Sequence, residues 1–229
     1  MIMRINESGN IEPTQKKPSE VKGESASGSQ GKRPYDDIIA GVYKGNEIKK
    51  FGITHYRYED CPSSRLKSIG NNIVVRDDCA EAFEAMQAAA KKDGVNLTPV
   101  SGYRSSKYQV TVFKKKFKDS NGKEVYPTDS QMKSRLKYSA PSGFSEHHTG
   151  LAIDINDTEE RFKDTKAYAW LKENAHEYGF ELSFPEDNAQ GLGFEPWHWR
   201  YVGKNGENEE IFQAARMHDP RFSNYLAQN

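Results

Sequence analysis

Two short segments, far apart in a chain of 229 residues, carry the side chains best suited to bind a metal and activate water. One is Ser145-Glu146-His147-His148-Thr149-Gly150-Leu151-Ala152-Ile153-Asp154. The other is Glu195-Pro196-Trp197-His198-Trp199-Arg200-Tyr201. A catalytic zinc usually takes three protein ligands and keeps a fourth position open. His198 and Asp154 are two candidates, and the third is His147 or His148. Strand alternation favours His148, which shares parity with Asp154. The intervening Thr149-Gly150 can host a bulge or turn that resets the phase, so local physics leaves both open. Glu195 precedes His198 by three residues. A carboxylate there can accept a proton from water and later donate it to a leaving amine. Pro196 cannot continue a helix interior, which excludes the helical His-Glu-x-x-His arrangement.

A single histidine beside a tryptophan is more often packed than ligating. The joint occurrence of both segments raises the metal reading. His55, His176 and His218 lack such company and read as surface or structural. A third segment, Ser101-Gly102-Tyr103-Arg104-Ser105-Ser106, sits at an expected strand-to-helix junction, where side chains reach the lip of a cleft. Arg104 can bind a carboxylate or stabilise an oxyanion, although an isolated arginine is more often a surface ion pair. Gln109, one turn on, can face the same cleft. Of Trp197 and Trp199, one is expected to wall the site and the other to pack inside, with Trp170 in the core. Lys114, Lys115, Lys116, Lys118 and Lys123 read as a solvated face, with attraction to anionic wall polymers as the weaker reading.

The elements that must position these groups follow from the pattern. Residues 35–75 read as short strands and turns. Asp77 and Asp78 supply capping chemistry for a helix to about Lys92, with Cys79, Phe83, Met86 and Ala90 as its buried stripe and Gly94 as its stop. Val95–Gly102 reads as a strand. Ser105 or Ser106 caps a second helix with Val110, Phe113 and Phe117 on one face, and Asp119–Asp129 is a loop. Leu151–Ile155, Phe180–Phe184 and Trp197–Val202 read as strands. Thr165 opens a third helix that Tyr178-Gly179 closes. The stretch from Glu209 to Leu226 reads as helical, broken near Pro220. Strands and helices do not alternate regularly, which favours α+β over a doubly wound sheet.

Lys+Arg and Asp+Glu both total 33. A neutral chain gives no strong pull on nucleic acid, and no apolar run approaches membrane-spanning length. The start, rich in Gly, Ser, Glu, Lys, Pro and Gln, cannot bury enough apolar surface to fold; residues 1–34 are expected to be a disordered tail and 35–229 the domain. No apolar signal-peptide core is visible in it. Cys61 and Cys79 form one disulfide or remain buried thiols.

Three runs carry a resemblance: Ser-Gly-Tyr-Arg-Ser at 101–105, Ser-Glu-His-His-Thr-Gly-Leu-Ala-Ile-Asp at 145–154, and Glu-Pro-Trp-His-Trp-Arg-Tyr-Val-Gly at 195–203. From about Tyr58 to Arg216 the chain resembles the VanY-type D-alanyl-D-alanine carboxypeptidases, zinc peptidases of the hedgehog/DD-peptidase fold. The resemblance implies an α+β single domain with a central, mainly antiparallel sheet flanked by helices. It implies Zn2+ held by His147, Asp154 and His198, against the parity argument. It implies Glu195 as base, Arg104 on developing negative charge, and Ser145 and Gln109 on the peptide's terminal carboxylate. Tyr103 and Trp197 are expected at the substrate. Many relatives carry Arg-Pro-Gly before the Ser-x-His run and Gln after the ligand histidine, where this chain has Ala140-Pro141-Ser142 and His148. The implied reaction removes a terminal D-alanine from peptidoglycan stem peptides or precursors. Its rivals are an L,D-carboxypeptidase or endopeptidase of the same fold, and a non-catalytic zinc-containing wall-binding module. A monomer acting at the cell envelope or outside the cell is expected, with the cytoplasm as the alternative.

Overall fold

A computed structural model describes residues 3–5, 11–13 and 31–222. Met3–Ile5 (β1) and Ile11–Pro13 (β2) pair antiparallel as a unit by themselves. Residues 31–34 of the expected disordered tail are also described, without helix or strand, and the remaining residues of that tail lie outside the description.

The larger unit is built around a four-stranded antiparallel sheet. Before it come α1 (Asp36–Ala40), the hairpin β3 (Glu47–Lys50) and β4 (Ile53–Tyr56), the pair β5 (Leu66–Ser68) and β6 (Val74–Arg76), and α2 (Asp77–Lys92). The sheet strands are β7 (Pro99–Ser101), β8 (Ala152–Ile155), β9 (Phe180–Leu182) and β10 (His198–Tyr201), in the order β7-β8-β10-β9. Between them lie α3 (Ser106–Lys114), α4 (Asp129–Tyr138) and α5 (Lys166–Asn174), with α6 (Gln213–Arg216) after the last strand. This is the α+β arrangement expected from the sequence.

The longest helix follows its pattern. Cys79, Phe83, Met86 and Ala90 of α2 are all fully buried. Asp77 and Asp78 lie in its first turn and Lys91 and Lys92 in its last, each sign complementing the helix dipole. The N-cap position itself is Arg76, which makes no side-chain cap. The two aspartates instead accept from the Asp78 and Cys79 amides and pair with Arg65 and Arg76. Ser105 caps α3 by accepting from the Tyr108 amide, and Thr165 caps α5 by accepting from that of Tyr168. The expected helix from Glu209 is shorter: a 3-10 turn at Glu209–Phe212 runs into α6, and residues beyond 222 lie outside the description.

Two helices were not anticipated: α1, in a stretch expected to hold only short strands and turns, and α4. α4 is polar and buries only Met132 and Leu136, too sparse a stripe to announce itself. It is held by a capping box in which the Thr128 side chain accepts from the Gln131 amide at 3.3 Å and the Gln131 side chain accepts from the Thr128 amide at 2.9 Å.

Two apolar clusters form the interior. One joins α2, the sheet and α5 through residues such as Phe83, Leu171, Phe180 and Trp199. The other joins α1, β3, β4, α3 and α4 through Ile38, Ile48, Phe113, Leu136 and Phe144. Cys61 and Cys79 are both free, buried thiols.

Candidate metal centre and active site

The sheet register brings the two segments together. β10 pairs with β8 so that His198 lies opposite Asp154, Trp199 opposite Ile153 and Arg200 opposite Ala152. Residues opposite each other in an antiparallel pair share a face, so the His198 and Asp154 side chains meet: His198 Nδ1 lies 3.0 Å from Asp154 Oδ1. The alternation also accounts for Trp199, which turns the other way and is buried against Tyr168.

The strand phase does not extend back to the paired histidines. Glu146–Thr149 forms a 3-10 turn, ended by Gly150 at φ 68°. A Cβ at Gly150 would sit 3.0 Å from the Arg76 amide nitrogen, so both its backbone angle and its neighbour favour glycine. Parity therefore starts again at Ala152, and the argument for His148 fails. His147 Nε2 lies 3.3 Å from Asp154 Oδ2, and its ring meets that of His198 edge-on, with centroids 4.8 Å apart. His148 faces elsewhere. Its Nδ1 donates to the Arg104 carbonyl at 2.6 Å, and its Nε2 accepts from the Gly143 amide at 3.0 Å. It fastens the Arg104 loop to the turn before Ser145.

His147, Asp154 and His198 thus offer three ligand atoms within 4.8 Å of one another, all buried. Burial and the charge of Arg104 lower His147 to about 4, which keeps a neutral lone pair available. Burial works against charge on Asp154, yet His147 and His198 hold it well below the usual carboxylate range. Burial likewise opposes charge on His198, but its bonds to Asp154 and Glu146 push it up to about 10. His147 Nδ1 is buried with no hydrogen-bond partner. Two imidazoles and a carboxylate at an open cavity are the donor set of a catalytic zinc site, so the residues fit that ion.

Glu195 stands beside this group, with its Oε2 3.7 Å from His198 Nδ1. Burial, reinforced by the negative charges of Asp154 and Glu146, raises it to about 7. Behind His198 lies a carboxylate that sequence reasoning passed over. Glu146 is buried and accepts from His198 Nε2 at 3.1 Å, from Ser183 Oγ at 2.6 Å and from Arg200 Nη1 at 2.8 Å. Burial opposes its charge, but Arg200 and His198 bring it down to about 2. Arg200, itself fully buried, also donates to Glu181 at 2.6 Å. Position gave a signal for this pair: Glu146 and Arg200 lie in the two motifs, and β10 alternation puts Arg200 on the same face as His198.

A cavity of about 520 Å³ opens over these groups. Its wall includes Arg104, Gln109, Ser145, Phe184, Phe194, Glu195 and Trp197. Arg104 is carried by a loop lying against β6, where a Cβ on Gly102 would come within 2.6 Å of the Val74 carbonyl oxygen. Gln109 is 1% exposed and donates through Nε2 to the Ala140 carbonyl at 2.7 Å. Tyr103 is not on this wall; it lies near Asp60 and Cys61. His55, also buried, reaches the cavity edge and donates to the Leu136 carbonyl at 2.9 Å.

Comparison with known proteins identifies the family. The family model for VanY, D-alanyl-D-alanine carboxypeptidase, matches residues 72–204, a range that contains all three ligand candidates and Glu195. The chain belongs to that family. Among curated VanY relatives, a D-alanyl-D-alanine carboxypeptidase of Enterococcus faecium is 33% identical over 138 residues, 59% of this chain and 40% of its own length. The chain spans 40 to 47% of the length of three such relatives. Among solved structures, a vancomycin-resistance D,D-pentapeptidase VanY, a Glu-to-Ala variant in complex with Zn(II), is 28% identical with a TM-score of 0.53. It covers 69% of this chain and 93% of its own. The LD-carboxypeptidase LdcB is 29% identical with a TM-score of 0.53, covering 78% of each chain.

Proposed function

We propose that this VanY-family chain is a zinc-dependent carboxypeptidase that removes the terminal D-alanine from peptidoglycan stem peptides. The observation that carries the reading is the convergence of His147, Asp154 and His198 beside Glu195 on the floor of one cavity. Zn2+ held by those three side chains would supply Lewis acidity towards a peptide carbonyl and towards water.

The chain's own residues do the rest. Glu195, raised to about 7, accepts the proton of the attacking water and returns it to the departing amine nitrogen. Arg104 faces the same cavity and offsets negative charge that develops on the scissile carbonyl oxygen. Glu146, braced by Ser183 and Arg200, accepts the hydrogen bond of His198 Nε2–H and so leaves the Nδ1 lone pair for the metal. Ser145, Gln109 and Trp197 border the space for the peptide.

A second reading, L,D-carboxypeptidase activity, is favoured by the likeness to LdcB. Digestion of defined stem peptides separates the two: release of D-alanine from a pentapeptide supports the first, and release only from a tetrapeptide supports the second. A non-catalytic binding module has no use for a buried base such as Glu195, and failure of zinc-loaded protein to cut any stem peptide would revive it. The substrate makes the cell envelope the proposed place of action, and export of the chain with and without residues 1–33 tests it.

A further inference from the structure

The cavity wall carries basic side chains beyond the Arg104 already assigned. Arg104, Lys116, Arg135 and Lys137 all reach its wall. Arg135, on α4, is half-buried and fixed by the end of α3: its Nε donates to the Phe113 carbonyl at 3.0 Å and its Nη2 donates to that of Val112. Its guanidinium also lies over the Phe113 ring, 5.4 Å from the centroid. These carbonyls belong to the last turn of a helix, which lacks amide partners of its own, so the bonds hold the cation in one orientation. Among the described residues neither Arg104 nor Arg135 makes an ion pair with a carboxylate, and Arg104 Nε is buried with no partner. Burial, and then the neighbouring charge of Arg104, lower Arg135 to about 10. Two like charges half-buried at one cavity repel each other until an anion joins them. A planar guanidinium fork matches a carboxylate.

Their anchorage distinguishes their roles. The Arg104 amide donates to the His147 carbonyl at 3.2 Å, so Arg104 stands next to the hydrolytic groups. Arg135 is fastened instead to the last turn of α3. In a peptide bound for removal of its last residue, the terminal carboxylate lies one residue beyond the scissile carbonyl. The atom of Gln109 left without a partner is the acceptor Oε1, which repels a carboxylate and suits a substrate N–H.

We propose that Arg135 is the specificity-determining residue of the cavity, binding the free C-terminal carboxylate of the residue to be released while Arg104 faces the scissile carbonyl oxygen. The inference rests on the carboxypeptidase reading and deepens it: an amidated or extended terminus leaves the two guanidiniums without their counter-charge, so the chain acts only at free ends.

The test is calorimetric binding of D-alanyl-D-alanine and of its C-terminal amide to zinc-loaded Glu195→Gln protein, which keeps the ligand from being consumed. The parent should prefer the acid by at least about 10-fold. Arg135→Met should weaken the acid by about 10- to 100-fold and leave the amide unchanged. Arg135→Lys, which keeps the charge and loses the fork, should retain part of the preference. Full retention of the acid preference in either variant, with normal melting and zinc content, overturns the proposal; if Arg135→Met does not fold, Arg135→Lys decides alone. A parent with no acid preference overturns it as well. Hydrolysis of a pentapeptide by protein with Glu195 intact is scored separately. An acid preference that depends on Arg135, without hydrolysis, supports the carboxylate site and rejects the carboxypeptidase reading.

Discussion

Single residues of the site divide labour between ligand, base and support. Glu195→Ala should keep its zinc and lose about two to four orders of magnitude in hydrolysis; near-normal turnover by that variant would reject Glu195 as the base. Glu146→Gln should weaken zinc binding by about 10- to 100-fold, because His198 Nε2 loses its carboxylate partner. Competition against a chelator measures this, and unchanged affinity would reduce Glu146 to packing. Much of this was legible. Asp154, His198 and Glu195 are carried by residue type and spacing, and β pairing then delivers the first two to one face. The choice between His147 and His148 was not legible from alternation, because a 3-10 turn ended by a left-handed glycine breaks the phase two residues before the strand begins. Family resemblance gave His147 where local periodicity gave the wrong histidine. Glu146 was overlooked because an acid next to a ligand in sequence points to its role only once the imidazole's second nitrogen is located.

At the scale of elements, α4 is the case that periodicity missed and capping chemistry would have found. Thr128-x-x-Gln131 is a start signal, but the helix that follows buries two side chains and leaves the rest polar. Thr128→Ala should cost about 1 kcal/mol by removing that cap. Chemical denaturation measures it, and a change under a few tenths would assign the helix's stability to its tertiary contacts alone. β4 and α4 are joined by His55. Burial lowers this imidazole to about 4, only partly offset by its bond to the Leu136 carbonyl. In the unfolded chain its pKa returns to about 6.5. Between those values the unfolded chain binds a proton that the fold refuses, so stability is full above about pH 6.5 and falls as the pH drops towards 4. The slope contributed is at most about 1.4 kcal/mol per pH unit. His55→Gln keeps a donor for Leu136 and removes the titration. Its loss of stability from pH 7 to pH 5 should be smaller than that of the parent, and an equal loss in both would contradict the assignment.

At the scale of the whole molecule, the fold class was readable because the three runs of motif coincide with the sheet strands and their approaches. What the sequence concealed was the second apolar cluster, assembled from short pieces at 35–56 and from α3 and α4, each too brief to show a period. The cavity lies where side chains of both clusters meet, with Trp197 and Phe194 from the partners of one and Phe144 and Leu192 from the other. Ligand binding across such a seam should stabilise the fold by mass action, about 4 kcal/mol at a thousandfold excess over the dissociation constant. Melting with zinc and with a chelator should therefore differ, and coincident transitions would detach the metal from the fold. Zinc content of the purified chain, measured by elemental analysis alongside His147→Ala, His148→Ala, Asp154→Ala and His198→Ala, decides whether these side chains form one metal site. One zinc per parent chain is expected, with loss of the ion in the His147, Asp154 and His198 variants and retention in His148→Ala. A parent without zinc after loading, or full occupancy in any of those three variants, would contradict it.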